Sequence, residues 1–128
     1  MLKGEAMRNI LIVDDETEIV EFLSNFLRRK NTKVFIATSG NQALELFKDN
    51  DFDLVLLDIG IPDIDGLKIL EIVKRIDENL KVIMVTGKDD DESVIKAQKL
   101  GASDYITKPL ELGNLYSVVS KHLKEYED

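Results

Sequence analysis

Five side chains of this sequence could do chemistry together: Asp14, Asp15, Asp58, Thr86 and Lys108. Each follows a short apolar run. Asp14-Asp15 end Asn9-Ile10-Leu11-Ile12-Val13, Asp58 ends Leu54-Val55-Leu56-Leu57, Thr86 ends Val82-Ile83-Met84-Val85, and Lys108 follows Tyr105-Ile106-Thr107. Three carboxylates converging on one place repel one another. Either their pKa values rise or a hard divalent cation is shared between them. Mg²⁺ suits such a set, because it favours oxygen ligands and takes only a few carboxylates beside water and phosphoryl oxygens. A threonine hydroxyl and a lysine ammonium opposite the cation would hold the remaining oxygens of a phosphoryl group. That is the composition of a phosphoryl-transfer site with a carboxylate nucleophile.

Those residues meet only if the fold gathers the ends of the runs. The runs are too short and too β-branched for helices and read as buried strands. Val34-Phe35-Ile36-Ala37 and Asp104-Tyr105-Ile106-Thr107 complete a set of five. Helix-length amphipathic stretches separate them. Ile19, Phe22, Leu23, Phe26 and Leu27 line one face of the first, which closes on the cations Arg28-Arg29-Lys30. Ser39-Gly40-Asn41-Gln42 reads as a capping box for the second, with Ala43, Leu46 and Phe47 inward. Asp65 can cap a third that buries Leu67, Leu70, Val73 and Ile76. Acidic residues Asp89 to Glu92 open a fourth around Val94 and Ala97, which Gly101 terminates. The last helix carries Leu115, Val118, Val119 and Leu123. Continuous apolar strands with crossover helices predict an α/β fold, an open doubly wound parallel sheet covered on both faces. Ligands of such sheets bind beyond the carboxyl ends of the strands. The five candidate residues all fall there.

Composition narrows the alternatives. The chain has 128 residues with 17 Lys+Arg against 25 Asp+Glu, a formal net charge of −8. That length suits one domain. With no Cys, disulfides, zinc-thiolate sites and thiol nucleophiles are excluded. The acidic balance argues against direct binding to nucleic acid, which needs clustered cations. No apolar run is long enough for a bilayer and no signal peptide opens the chain, so no membrane partner is expected and the location reads as cytoplasmic. No strand-to-helix loop is a glycine-rich phosphate cradle, so nothing supports nucleotide binding by that route. Residues 1–7 read as an N-terminal extension and 8–128 as the domain.

Taken in order, Asp14-Asp15, Asp58, Pro62, Asp65-Gly66, Thr86-Gly87 and Lys108-Pro109 resemble the receiver domain of two-component response regulators, from about Arg8 to Glu125. The resemblance implies a flavodoxin-like fold with strand order 2-1-3-4-5. It implies that Asp58 accepts a phosphoryl group from a sensor histidine kinase or a phosphotransfer protein. Asp15, Asp58 and the Gly60 carbonyl would ligate Mg²⁺, with Asp14 acting through water. Lys108 would pair with the phosphoryl oxygens, Thr86 would hydrogen-bond them, and Tyr105 would change rotamer as Thr86 moves. The Lys108–Pro109 bond would be cis. Ile61 stands where the family often has Met, and Gly60 and Lys88 occupy two positions that vary across it. The expected role is a phosphorylation-activated switch in which the fourth helix, fifth strand and fifth helix form the responding surface. That surface would control a downstream protein or an output domain, with a phosphorylation-promoted dimer as a further expectation. The chain would catalyse only its own phosphoryl transfer and dephosphorylation, so it is not expected to be an enzyme in the ordinary sense.

Rival readings exist for several of these residues. A receiver-like binding module that works without phosphorylation would lack one of the key residues, and none is missing. A Mg²⁺-dependent phosphatase would need a general acid or base at the rim. Asp63-Ile64-Asp65-Gly66 suggests a dehalogenase-type phosphatase motif or a Ca²⁺ loop. The first should directly follow a buried strand, and the second would place Ile61 and Ile72 at ligand positions. His122, the one histidine, reads as a partly buried helix residue.

Overall fold

A computed structural model describes residues 7–123. Of the expected N-terminal extension, residues 1–6 lie outside that range, as do residues 124–128. Met7 is exposed and precedes the first strand.

Five strands alternate with five helices: β1 (Arg8–Val13), α1 (Thr17–Leu27), β2 (Thr32–Ala37), α2 (Gly40–Asp49), β3 (Leu54–Leu57), α3 (Gly66–Ile76), β4 (Lys81–Thr86), α4 (Asp91–Lys99), β5 (Asp104–Thr107) and α5 (Leu112–His122). All pairings are parallel and the order is β2-β1-β3-β4-β5. The chain therefore has the flavodoxin-like fold. Parallel strands buried on both faces need apolar side chains on both, which explains the unbroken runs. Alternate residues feed two cores. Leu11, Val13, Val55, Leu57, Val82 and Met84 pack toward Ala43, Leu70, Val73 and Ala97 of α2, α3 and α4. Ile10, Ile12, Leu54, Leu56, Ile83 and Val85 pack toward Leu23, Leu27, Leu115 and Val119 of α1 and α5.

Helix ends follow local chemistry. Ser39 caps α2 by accepting from the Gln42 N–H, while Gln42 reaches back to the Thr38 N–H at 2.6 Å, one residue earlier than a regular capping box. Asp65 accepts from the Leu67 N–H and Asp90 from the Ser93 N–H. Gly101 ends α4 at φ +98°, a left-handed conformation that favours glycine.

Two expectations are corrected. Ile76 is 64% exposed, and Ile69 is buried instead. Nine residues at about 100° each put Ile76 half a turn away from Leu67, so repeated steps of three drift off the buried face. The cations Arg28-Arg29-Lys30 lie beyond α1 rather than in its last turn. Arg29 Nη1 still serves that end by donating to the Phe26 and Arg28 carbonyls.

Candidate functional site

Because the strands are parallel, all five carboxyl ends open on one rim. There Asp14, Asp58 and Thr86 are the buried polar residues among those described, in a layer otherwise made of aliphatic core. Each is held by the sheet itself. The Asp14 N–H donates to the Ala37 carbonyl at 3.0 Å and the Asp58 N–H to Val13 at 3.0 Å, so each acid sits one step past its strand, tied to its neighbour. Lys108 is held in the same way, its N–H donating to the Thr86 carbonyl at 2.9 Å. The Lys108–Pro109 bond is cis, as the resemblance implies.

The turn after Asp58 depends on a close backbone approach. A Cβ on Gly66 would lie 2.2 Å from the Asp58 carbonyl oxygen and 2.5 Å from the Ile59 Cα, so only glycine fits. The Gly66 N–H donates to the Ile59 carbonyl at 2.9 Å, fastening the start of α3 beneath the acid. The Asp63 carboxylate accepts from the N–H groups of Gly40 and Asn41, at 2.7 and 2.9 Å. These bonds pull its pKa below the ordinary carboxylate value. Asp63 is thus a cap that ties the loop after β3 to the start of α2.

The Lys108 ammonium is the hub. Its Nζ lies 2.8 Å from Asp14 Oδ2, 2.7 Å from Glu16 Oε1 and 3.0 Å from Asp58 Oδ2. Burial works against its charge, but the three carboxylates outweigh burial and raise its pKa above the ordinary lysine value. Asp14 goes the other way for a carboxylate. Burial raises its pKa, contacts with Lys108 and the Glu16 N–H counter this, and the like charge of Asp58 adds to the rise. Its Oδ2 is buried with no hydrogen bond and is held by the lysine charge. Asp58 Oδ1 accepts from the Gly60 N–H at 3.1 Å, so that carboxylate is gripped at both oxygens.

Asp15, Glu16, Asp58, Gly60, Thr86, Lys88 and Lys108 line a cleft of about 670 Å³. The rim thus brings together every site residue expected from the sequence except Tyr105, with Asp14 buried just behind. Asp15 lines the cleft as an exposed side chain. It is Glu16, the next acid along the chain, whose carboxylate lies with those of Asp14 and Asp58 within 4.8 Å. The run of three acids, Asp14-Asp15-Glu16, was the one available signal. The donor set fits Mg²⁺: hard carboxylate oxygens crowd together at the edge of an open cleft lined by Asp15, Asp58 and Gly60.

Tyr105 stands one step away. Its hydroxyl donates to the Lys88 carbonyl, while the Lys88 N–H donates to Thr86 Oγ1 at 3.3 Å. Thr86 and Tyr105 therefore share the Lys88 residue from opposite sides. Burial, then the charges of Asp90, Asp89 and Asp58, raise the pKa of the phenol, so it stays a donor. His122 is half-buried beside Asp104, away from the cleft. No helix among the described residues is long and apolar enough to cross a membrane.

Residues 10–120 match the family of the response regulator receiver domain. The chain is 36% identical over 115 residues to the transcriptional regulatory protein ZraR of Escherichia coli K12, covering 90% of this chain and 26% of that protein. It therefore spans about a quarter of that relative's length. A CheY-like receiver domain protein from Methanospirillum hungatei JF-1 superposes with TM-score 0.86 at 32% identity, covering 94% of this chain and 97% of the other. The BeF3-activated receiver domain of DrrB, a Thermotoga maritima protein, gives 0.84 at 33% identity, with 92% and 98% covered.

Proposed function

The chain belongs to the response regulator receiver domain family of two-component signalling, and from that premise we propose that Asp58 is its phosphoacceptor. The observation that carries this is the double grip on the Asp58 carboxylate, Lys108 at one oxygen and the Gly60 N–H at the other, beside the cleft. A carboxylate so oriented is positioned for attack on a phosphoryl donor. The donor class is a phosphohistidine on a sensor kinase or phosphotransfer protein. Mg²⁺ would be held by Asp15, Asp58 and the Gly60 carbonyl, with Asp14 through water, and would supply charge to offset the phosphoryl oxygens. Lys108 would stabilise the same oxygens, and the Thr86 hydroxyl would donate to one of them.

The switch follows from the shared Lys88 residue. Drawing Thr86 toward a phosphoryl oxygen disturbs its bond from the Lys88 N–H, and with it the carbonyl that Tyr105 holds. The change would pass to the surface of α4, β5 and α5, which would act on a downstream protein or an output domain, in the cytoplasm, with a dimer as one form of output. Shifting a two-state surface from 1:99 to 99:1 takes about 5.5 kcal/mol of preference. Charge-assisted bonds from Lys108 and Thr86, with Tyr105 repacked, supply a large share of that. The receiver unit is residues 8–128, catalysing its own phosphorylation and dephosphorylation only.

The test is incubation with Mg²⁺ and acetyl phosphate, followed by mass spectrometry of the intact chain and its peptides. One phosphoryl group is expected, on the peptide holding Asp58, and none in Asp58→Asn. Undiminished labelling of Asp58→Asn would remove the assignment.

A further inference from the structure

A lysine ammonium has three N–H donors, and the close contacts of Lys108 Nζ are three carboxylate oxygens, those of Glu16, Asp14 and Asp58. The Glu16 and Asp58 contacts are hydrogen bonds and Asp14 Oδ2 is held by charge. A phosphoryl group on Asp58, which brings further negative charge to that ammonium, therefore competes with the carboxylates beside it. The three differ in how readily they leave. The Asp14 side chain is 2% exposed, and losing Lys108 would strand a buried anion, whereas a phosphorylated Asp58 carries its charge on the phosphoryl oxygens, which take over its contact with Lys108. The Glu16 side chain is 57% exposed, and water can replace the lysine on it at little cost. Glu16 also makes the shortest of the three contacts, 2.7 Å, and lines the cleft an incoming donor would enter.

We infer that Glu16 is a placeholder for a phosphoryl oxygen: its carboxylate occupies Lys108 in the unphosphorylated chain and is displaced when Asp58 is modified. The inference rests on Asp58 being the acceptor. Glu16 acts through Lys108 and is a positioning residue. It has two effects of opposite use. It keeps the ammonium in register with Asp58, and it sets a negative charge against an anionic donor. In the reaction itself, an Asp58 oxygen forms a bond to phosphorus while the donor's own bond to phosphorus breaks, P–N in a phosphohistidine and P–O in acetyl phosphate. With acetyl phosphate the electron pair leaves on acetate. Glu16 gains and loses nothing covalently; it exchanges Lys108 for water.

Removing the placeholder charge therefore speeds phosphorylation. In Glu16→Gln the initial rate of Asp58 labelling by acetyl phosphate, at saturating Mg²⁺ and low salt, rises by roughly two- to five-fold, the range for an exposed ion pair. Glu16→Ala moves in the same direction. The gap between wild type and Glu16→Gln closes in about 1 M salt, where screening acts within about 3 Å; a purely structural effect would not track ionic strength. Wild type that labels while Glu16→Gln labels no faster, or faster by a ratio indifferent to salt, overturns the placeholder alone. A wild-type chain that takes no phosphoryl group overturns the Asp58 reading and this inference with it.

Discussion

β5 has an ion cluster at each end. At its carboxyl end Lys108 is shared by Asp14, Glu16 and Asp58, so acceptors outnumber the cation. At its amino end Asp104 Oδ2 lies 3.1 Å from Lys121 Nζ and 3.2 Å from His122 Nε2, one carboxylate between two nitrogens. The acids respond in opposite senses. Burial raises Asp14 above the ordinary carboxylate value, and Lys108 does not fully restore it. Burial also acts on Asp104, but His122, Lys121 and the Tyr105 N–H outweigh it, and its pKa falls. The amino-end cluster is a satisfied link between β5 and α5. The carboxyl-end cluster holds more negative charge than its one lysine balances, beside a cleft, where perturbed titration points to chemistry rather than to stability.

The contrast is broken most directly at the lysines. Lys108→Met keeps the aliphatic stem but leaves Asp14 and Asp58 buried without a cation. The expected loss is about 3 kcal/mol at neutral pH, as for breaking a buried pair from one side. Urea denaturation reads it. A loss no larger than that of an exposed lysine would mean the rim is solvated and the cluster ordinary.

Acid sharpens the contrast further. The Asp14 pKa is raised in the folded chain, so above pH 3.8 the native state holds its proton more tightly than the unfolded one. Its contribution to stability is therefore lost as pH rises through the folded value. The Asp104 pKa is lowered, so its contribution is present above pH 3.8 and lost as pH falls through the folded value. Asp14→Asn should then raise stability at neutral pH and remove that decline. Asp104→Asn should lower it by about 0.2–1 kcal/mol and flatten the acid-side loss. Thermal unfolding followed from pH 3 to pH 7 separates the two, and parallel curves would dissolve the distinction.

The sequence carried most of the fold because the governing signals are local. An apolar run such as Leu54–Leu57 reports burial on both faces, and Ser39, Asp65 and Asp90 cap helices through bonds within a few residues. The rim residues were legible because a parallel sheet brings all its strand ends to one side. Glu16 was not. Its role comes from a contact with Lys108 at the other end of the chain, while locally it only reads as an acid before a helix. The same holds for Asp63, whose partners Gly40 and Asn41 lie on another loop. Ile76 misled for the reverse reason: its neighbours' spacing was right, but the buried arc of α3 had already turned away.

The smallest effect is expected at the amino-end lysine. Lys121 is 63% exposed, its partner Asp104 keeps His122, and no buried charge is stranded when the ammonium goes. Lys121→Met should thus cost about 0.5 kcal/mol or less in urea denaturation. Its phosphoryl uptake on Asp58 should match wild type, since β5 separates this cluster from the cleft. A loss approaching that of Lys108→Met would show that Asp104 depends on Lys121 as Asp14 depends on Lys108. Unequal charge at the carboxyl end could then no longer be what sets the functional cluster apart from the structural one.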